Sequence, residues 1–356
     1  MTELDQRISE TLRERAEGLV DIDRLTVRAV VGGRARRRRR RVGVGVALGL
    51  VVVLGLGVPT VADHSGRLPW TSAEPSPATV VPPRAPTAAT AALRPDLVGT
   101  DPTLLHFGID PARAGYLGWE AGQGVESVRL AVSGGRQVVL DLGRTPADVE
   151  QALHEGMSYG TAPDAESELV TAADFDGTVR TVAPAGPGGE PGWILRWQPL
   201  AGLYARVTTV GPNDRDLRTV AQALRLDEAY RCATPLRLTA LPPDARLARC
   251  AVNLVDLPDS VDVLLTVLRG EDQRLDVRLE YHAEFVGRRT EGNRTIGDRA
   301  GYLHPRGDEL ELLGLTGARL AVRFGPPRRG FTEADAATVL GGAVLADDLT
   351  RPATWD

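Results

Sequence analysis

The run with the sharpest catalytic spacing in this 356-residue chain is Asp174-Phe175-Asp176-Gly177-Thr178. Its two carboxylates, Asp174 and Asp176, flank a single phenylalanine. The plainer reading of the same residues is a polar turn, in which Asp and Gly shape the backbone. The five histidines, His64, His106, His154, His282 and His304, show no pairing at metal-ligand spacing. His154-Glu155 lacks a second histidine four residues after the first, so it is not a zinc-protease motif. Ser133 lies in a Val-Ser-Gly-Gly turn without the frame of a nucleophile elbow. Residues 186–192 are rich in Gly and Pro, but no lysine or capped helix follows to cradle a phosphate. No catalytic, cofactor-binding or metal-binding set is assigned from these residues.

Cys232 and Cys250 are the only cysteines. Without nearby histidines they do not make a zinc site. Two buried thiols and a redox pair remain open as readings, and a disulfide is favoured because it persists in an oxidising compartment.

The Asp174–Thr178 run resembles the DxDGT motif of haloacid-dehalogenase-type phosphatases. That resemblance implies Asp174 as the nucleophile toward phosphorus, Asp176 as acid and base, and Mg2+ as the neutralising cation. This sequence departs from the family in three ways. It contains no lysine to hold the phosphate, all 42 of its basic residues being arginine. Residues 168–173 are a poor apolar strand, and the surrounding pattern lacks the alternating βα order of a parallel sheet. A phosphatase acting from the secreted side through Asp174 stays as an alternative to a non-enzymatic protein.

Charge is segregated along the chain. Residues 1–41 carry 12 Arg against 7 Asp and Glu, residues 42–62 carry none until Asp63, and the remainder holds 30 Arg against 40 acids. An acidic outer portion has no reason to bind nucleic acid. Arg36, Arg37, Arg38, Arg39, Arg40 and Arg41 run consecutively into 21 uncharged residues, 42–62, of which twelve are Leu or Val. About 20 apolar residues cross a bilayer as a helix, and flanking basic residues stay on the cytoplasmic side. The expectation is one transmembrane helix over 42–62, with a cytoplasmic N-terminus and everything after it outside. A cleaved signal peptide ending near Thr60-Val61-Ala62 is the rival reading, with a basic region and apolar core longer than such peptides have. Gly45 and Gly49 stand at the spacing that lets two membrane helices approach, which allows a homodimer.

Within residues 1–41, Leu4, Ile8, Leu12, Ala16 and Leu19 recur at helical spacing, an amphipathic helix whose apolar stripe needs a partner. The run Leu12-Arg13-Glu14-Arg15-Ala16-Glu17, then Val20-Asp21-Ile22-Asp23-Arg24-Leu25, the arginine block and the apolar span together resemble uncharacterised actinobacterial single-pass membrane proteins. Those proteins are often encoded beside extracytoplasmic-function sigma factors. The resemblance implies anti-sigma-like or envelope signalling, with a sigma factor as the cytoplasmic partner. Zinc-binding anti-sigma domains carry His and paired Cys before the membrane; residues 1–41 have neither.

The elements that would position any outer site follow. Residues 63–102 carry eight prolines among Ala, Thr and Ser, which reads as an extended tether. Val128–Val132 and Gln137–Leu142 flank Ser133-Gly134-Gly135 as a hairpin, and Thr145-Pro146-Ala147-Asp148 opens a capped helix. Further strand pairs are expected at 193–197 with 203–209 and at 263–268 with 275–281. Helices are expected at 216–226 and after Thr332, the last one carrying Val339, Leu340, Ala343 and Val344. Residues 202–207 match 317–322 at an offset of 115, each followed by a helix. The expected fold is α+β: a transmembrane helix, then two antiparallel-sheet-plus-helix modules at 103–230 and 231–356 outside the membrane. The expected function is envelope binding or sensing of a cell-wall or extracellular ligand, coupled to a cytoplasmic regulatory protein. A wall-facing structural module without signalling is the alternative.

Overall fold

The computed structural model describes residues 80–152, 168–172, 175–182, 190–284, 289–325 and 330–355. All belong to the compact unit Ala73–Asp356. Its fourteen principal strands fall into two sets. The first is β1 (Gly115–Gly122), β2 (Val125–Val132), β3 (Arg136–Gly143), β4 (Glu168–Ala172), β5 (Phe175–Val182), β6 (Gly192–Leu200) and β7 (Leu203–Val210). The second is β8 (Ala245–Asn253), β9 (Ser260–Arg269), β10 (Gln273–His282), β11 (Arg294–Ile296), β12 (Arg299–Leu303), β13 (Glu309–Leu312) and β14 (Ala318–Arg323).

All fourteen form one antiparallel sheet in the order β11-β12-β13-β14-β10-β9-β8-β1-β2-β3-β7-β6-β5-β4. Outward from the middle, each half runs through a three-strand meander, then the last strand of its set, then the others in reverse. The halves join where β1 pairs with β8, Ala121 opposite Cys250 and Trp119 opposite Val252. Left alone, each first strand would present an edge of unpaired backbone groups, and pairing the two removes both edges.

Among the described residues three α-helices accompany the strands: α1 (Pro146–Gln151), α2 (Arg215–Ala223) and α3 (Glu333–Gly341). The expectation of an α+β fold in two separate modules is therefore corrected: the described unit is mostly β, and one sheet runs through both halves. The short capped helical patterns are real, but each is too brief to form a layer of its own. Among the described residues no helix is long and apolar enough to cross a membrane. The span expected at 42–62, with Gly45, Gly49 and Arg36 to Arg41, lies outside the described residues.

Helix ends explain two further differences. The sequence pattern extends α2 to residue 226, but Leu224–Arg225 leave the helix and pair with Gly108–Ile109. The pattern carries α3 through Val344, yet the helix stops at Gly341, and Ala343–Leu345 pair with Leu236–Leu238. A Cβ on Gly342 would lie 2.6 Å from the Ala240 nitrogen, so only glycine lets the chain turn there against its neighbour.

The core lies on one face. Val138, Leu140 and Leu142 of β3, Leu203, Ala205 and Val207 of β7, and Leu275, Val277 and Leu279 of β10 alternate inward, as period-two side chains must. Leu217 and Val220 of α2, and Val339 and Leu340 of α3, close over the same cluster. Residues 80–102, expected as part of a tether, are instead packed on this unit, with Ala91 and Val98 fully buried. Pro86 and Pro102 occupy turns and Pro95 opens a short 3-10 helix, positions where no N–H is needed, while the alanines and Val98 supply apolar contact.

Candidate functional site

The sequence-derived candidates scatter. Asp174 lies outside the described residues. Asp176 is exposed on β5 opposite Thr171 of β4, in an antiparallel hairpin. Asp176 thus stands within an antiparallel hairpin and not at the end of a parallel strand. His64 and His154 also lie outside the described residues. His282 ends β10, and His304 follows β12. Among the described residues no three His, Cys, Asp or Glu side chains are placed to hold a metal ion.

Cys232 and Cys250 form a disulfide with their Cα atoms 6.4 Å apart. It ties the segment after the short strand Tyr230–Arg231 to β8 at the centre of the sheet. Beside it an aromatic group closes the core: Tyr116 packs edge-on to Trp119, Trp119 against Trp355, and Tyr116 against Tyr230. The Trp119 indole donates to the Ala233 carbonyl at 3.0 Å. Burial, and then the acceptor Glu228 beside its hydroxyl, push the Tyr230 phenol up to about 12.

Three polar clusters among the described residues bear on a site. The first lies on the sheet face opposite the core, beneath α1. Asp141 of β3 accepts from the Ser127 hydroxyl at 2.7 Å and from Arg206 of β7 at 2.9 and 2.7 Å. Arg206 also donates to the Ala152 carbonyl at the end of α1. Asp141 and Arg206 stand directly opposite each other across β3 and β7, and both are buried. Low dielectric strengthens such a pair only because each partner's lone pairs and protons are used. Nothing in this arrangement is aimed at an outside molecule; it fastens α1 to the sheet.

The second cluster lies on the same face of the second half, where no described helix covers it. Arg319 of β14 donates to Glu280 of β10 at 3.3 Å and to Glu311 of β13 at 3.3 Å, and it also pairs with Glu309. His304 reaches Glu309 and Glu311 at 3.3 and 3.4 Å, and Tyr302 packs edge-on to it. Burial pushes the Arg319 guanidinium down, but Glu309, Glu280 and Glu311 outweigh it and hold the group above its ordinary range. Around this knot Arg278 is 44% exposed and Arg323 60%. The result is an open, charged sheet face, which suits a polar macromolecular surface better than a small apolar ligand.

The third cluster is internal. Glu126 of β2 points inward, in the row that continues with Val128, Leu130 and Val132, and it is 0% exposed. Its carboxylate accepts from the backbone N–H of Gly99 at 2.8 Å and of His106 at 2.6 Å, and from His106 Nδ1 at 2.5 Å. Burial pushes the imidazole pKa down, but the Glu126 hydrogen bond and charge, with Asp101 adding to them, raise it above the usual histidine value. Sequence reasoning passed over Glu126, Asp141 and Arg206. The available signal for Glu126 was parity, since it falls on the apolar phase of an alternating strand.

No family model matches the chain. No curated protein matches it. Two solved structures are similar to part of it. The crystal structure of MucB in complex with MucA(peri) shares 13% identity over 64% of this chain and 91% of that chain, with a TM-score of 0.21. The complex structure of Pseudomonas aeruginosa MucA/MucB shares 14% identity over the same shares of each chain, with a TM-score of 0.22.

Proposed function

We propose that this chain is a single-pass envelope protein whose β unit lies outside the cytoplasmic membrane and binds a protein or cell-wall surface. The N-terminal amphipathic segment meets a cytoplasmic regulatory protein, with a sigma factor the partner that its sequence suggests. The observation that carries this reading is the buried Cys232–Cys250 disulfide. Disulfides persist in oxidising compartments and are rare in the cytosol. That supports a unit exported past the apolar segment 42–62, in the direction that the arginines at 36–41 favour. The open charged face around Arg319 is the surface available for the outer partner, and the protein acts by binding and not by catalysis.

Reporter fusions test the sidedness. Alkaline phosphatase fused after residue 356 should be active and a fluorescent reporter there dark; the opposite pattern sinks the reading. Deleting residues 2–30 should then abolish any signalling phenotype while leaving the β unit exported. If every cellular phenotype survives that deletion, the wall-facing structural alternative takes its place.

A further inference from the structure

Residues 80–106 contribute no strand to the large sheet, yet they hold one end of the core closed. The outgoing limb lies along residues 226–231: Ala85 N–H donates to Ala229 O, Arg231 N–H to Pro83 O, and Ala92 N–H to Leu226 O, at 2.8 to 2.9 Å. The returning limb pairs Leu104 with Arg231 and Leu105 with Tyr230. Cys232 N–H donates to Thr103 O at 2.8 Å, so the disulfide anchors the dock to which the strap is laced. Between the limbs the tip folds back at Gly99. That residue has φ +73, and a Cβ there would lie 2.2 Å from the Gly124 carbonyl carbon. Its carbonyl accepts from Gly124 N–H at 3.0 Å, and its own N–H donates to Glu126.

Among the described residues, the ionisable side chain of the sheet that hydrogen-bonds this tip is the inward-facing Glu126. A permanent closure could be made from packing alone. A buried carboxylate instead costs several kcal/mol unless every hydrogen bond to it is in place. Fastening of that kind is all-or-none: losing one donor removes much of the reason for the others to stay. We propose that residues 80–106 are a releasable strap, locked by Glu126 and His106, whose opening uncovers the apolar ground beneath Ala91, Val98 and Leu105. The lock stands on geometry alone.

The charged groups acting on His106 are Glu126 on β2 and Asp101 within the strap. Both favour the imidazolium. The folded pKa is raised above the ordinary histidine value of 6.5, so the stabilisation is complete below that value. It is lost as the pH rises through the folded pKa. The strap therefore loosens on the alkaline side.

Hydrogen exchange on the full-length chain in detergent tests this. In Gly99→Ala and Glu126→Gln, amides of residues 91–106 should exchange at least about tenfold faster while those of β2, β3, β9 and β10 stay within about twofold, the mark of sub-global opening. Equal loss of protection across strap and sheet, or an unchanged strap, overturns the proposal. The unmutated chain gives an independent reading that survives any folding failure of the variants. After correction for intrinsic chemistry, strap protection relative to the sheet should fall between about pH 6 and about pH 9. A ratio flat across that range overturns the lock. Reporter fusions leave this result untouched, so failure of the topology and failure of the strap are separable.

Discussion

At Asp141 and Arg206 the sheet commits two charges to a site that water does not reach. Each is the other's closest charged partner, with Glu150 a more distant carboxylate at 3.8 Å from the Arg206 guanidinium. Arg206→Ala should cost about 3–5 kcal/mol, because it leaves the Asp141 carboxylate buried without its cation, and Asp141→Ala should cost less, because Arg206 keeps Glu150 and the Ala152 carbonyl. Denaturant unfolding should show a lower midpoint at unchanged slope, and a loss below about 1 kcal/mol would mean the pair is wet. Replacing both by apolar residues of similar volume should recover much of the loss. By contrast, Asp176 is exposed, so Asp176→Ala should shift stability by no more than about 0.5 kcal/mol. At this scale the sequence was a poor guide. Asp174 and Asp176 attracted notice by motif, whereas Glu126, Asp141 and Arg206 belong to no motif. Their importance comes from neighbours far along the chain, His106 lying 20 residues from Glu126 and Arg206 lying 65 from Asp141, brought together only by folding. Among these long-range pairs, Arg136 and Asp216 likewise join β3 to α2.

Elements written in local sequence were legible. The hairpin of β2 and β3 pairs Val132 with Arg136 across Ser133–Gly135, where Gly134 and Gly135 take φ of 78 and 72. Both capping boxes form: the Thr145 hydroxyl accepts from Asp148 N–H, and the Thr332 hydroxyl from Asp335 N–H. Thr332→Ala should therefore cost about 1 kcal/mol, read as a lowered unfolding midpoint. Asp335 has a second role. Burial pushes its pKa up, but hydrogen bonds from Arg269 and Thr332 win and hold it below the usual carboxylate range. Its stabilising contribution is present above the unfolded pKa and disappears as pH falls through the lower folded value. Reduction of Cys232–Cys250 should remove about 3 kcal/mol, the chain-entropy figure for a loop of this size. A reduced protein with an unchanged midpoint would show the bridge to be stabilising nothing. What local sequence did not show was where helices stop. Leu224–Arg225 and Ala343–Leu345 have partners far upstream, and pairing with them outcompetes another helical turn.

For the whole unit, the repeated strand order and the β1–β8 seam predict one cooperative transition. Val220→Ala in α2 and Val339→Ala in α3 sit under opposite halves of the sheet, yet both bury into one apolar cluster. Each should lower the same midpoint, by about 1–3 kcal/mol of stability. Two resolved transitions, each sensitive to one variant, would mean the halves are independent after all.

Composition, spacing and periodicity by themselves determined the short-range facts: alternating strands, tight glycine turns, capped helix starts, and the segregation of arginine from the acidic remainder. These are set by residues within a few positions of one another, so a linear reading captures them. The merging of two expected modules into a single sheet, the folding of a proline-rich stretch onto its core, and the burial of Glu126 were decided only by the tertiary structure. Each depends on contacts between distant segments, where the gain from closing an exposed edge or an apolar surface is invisible until both sides are in place.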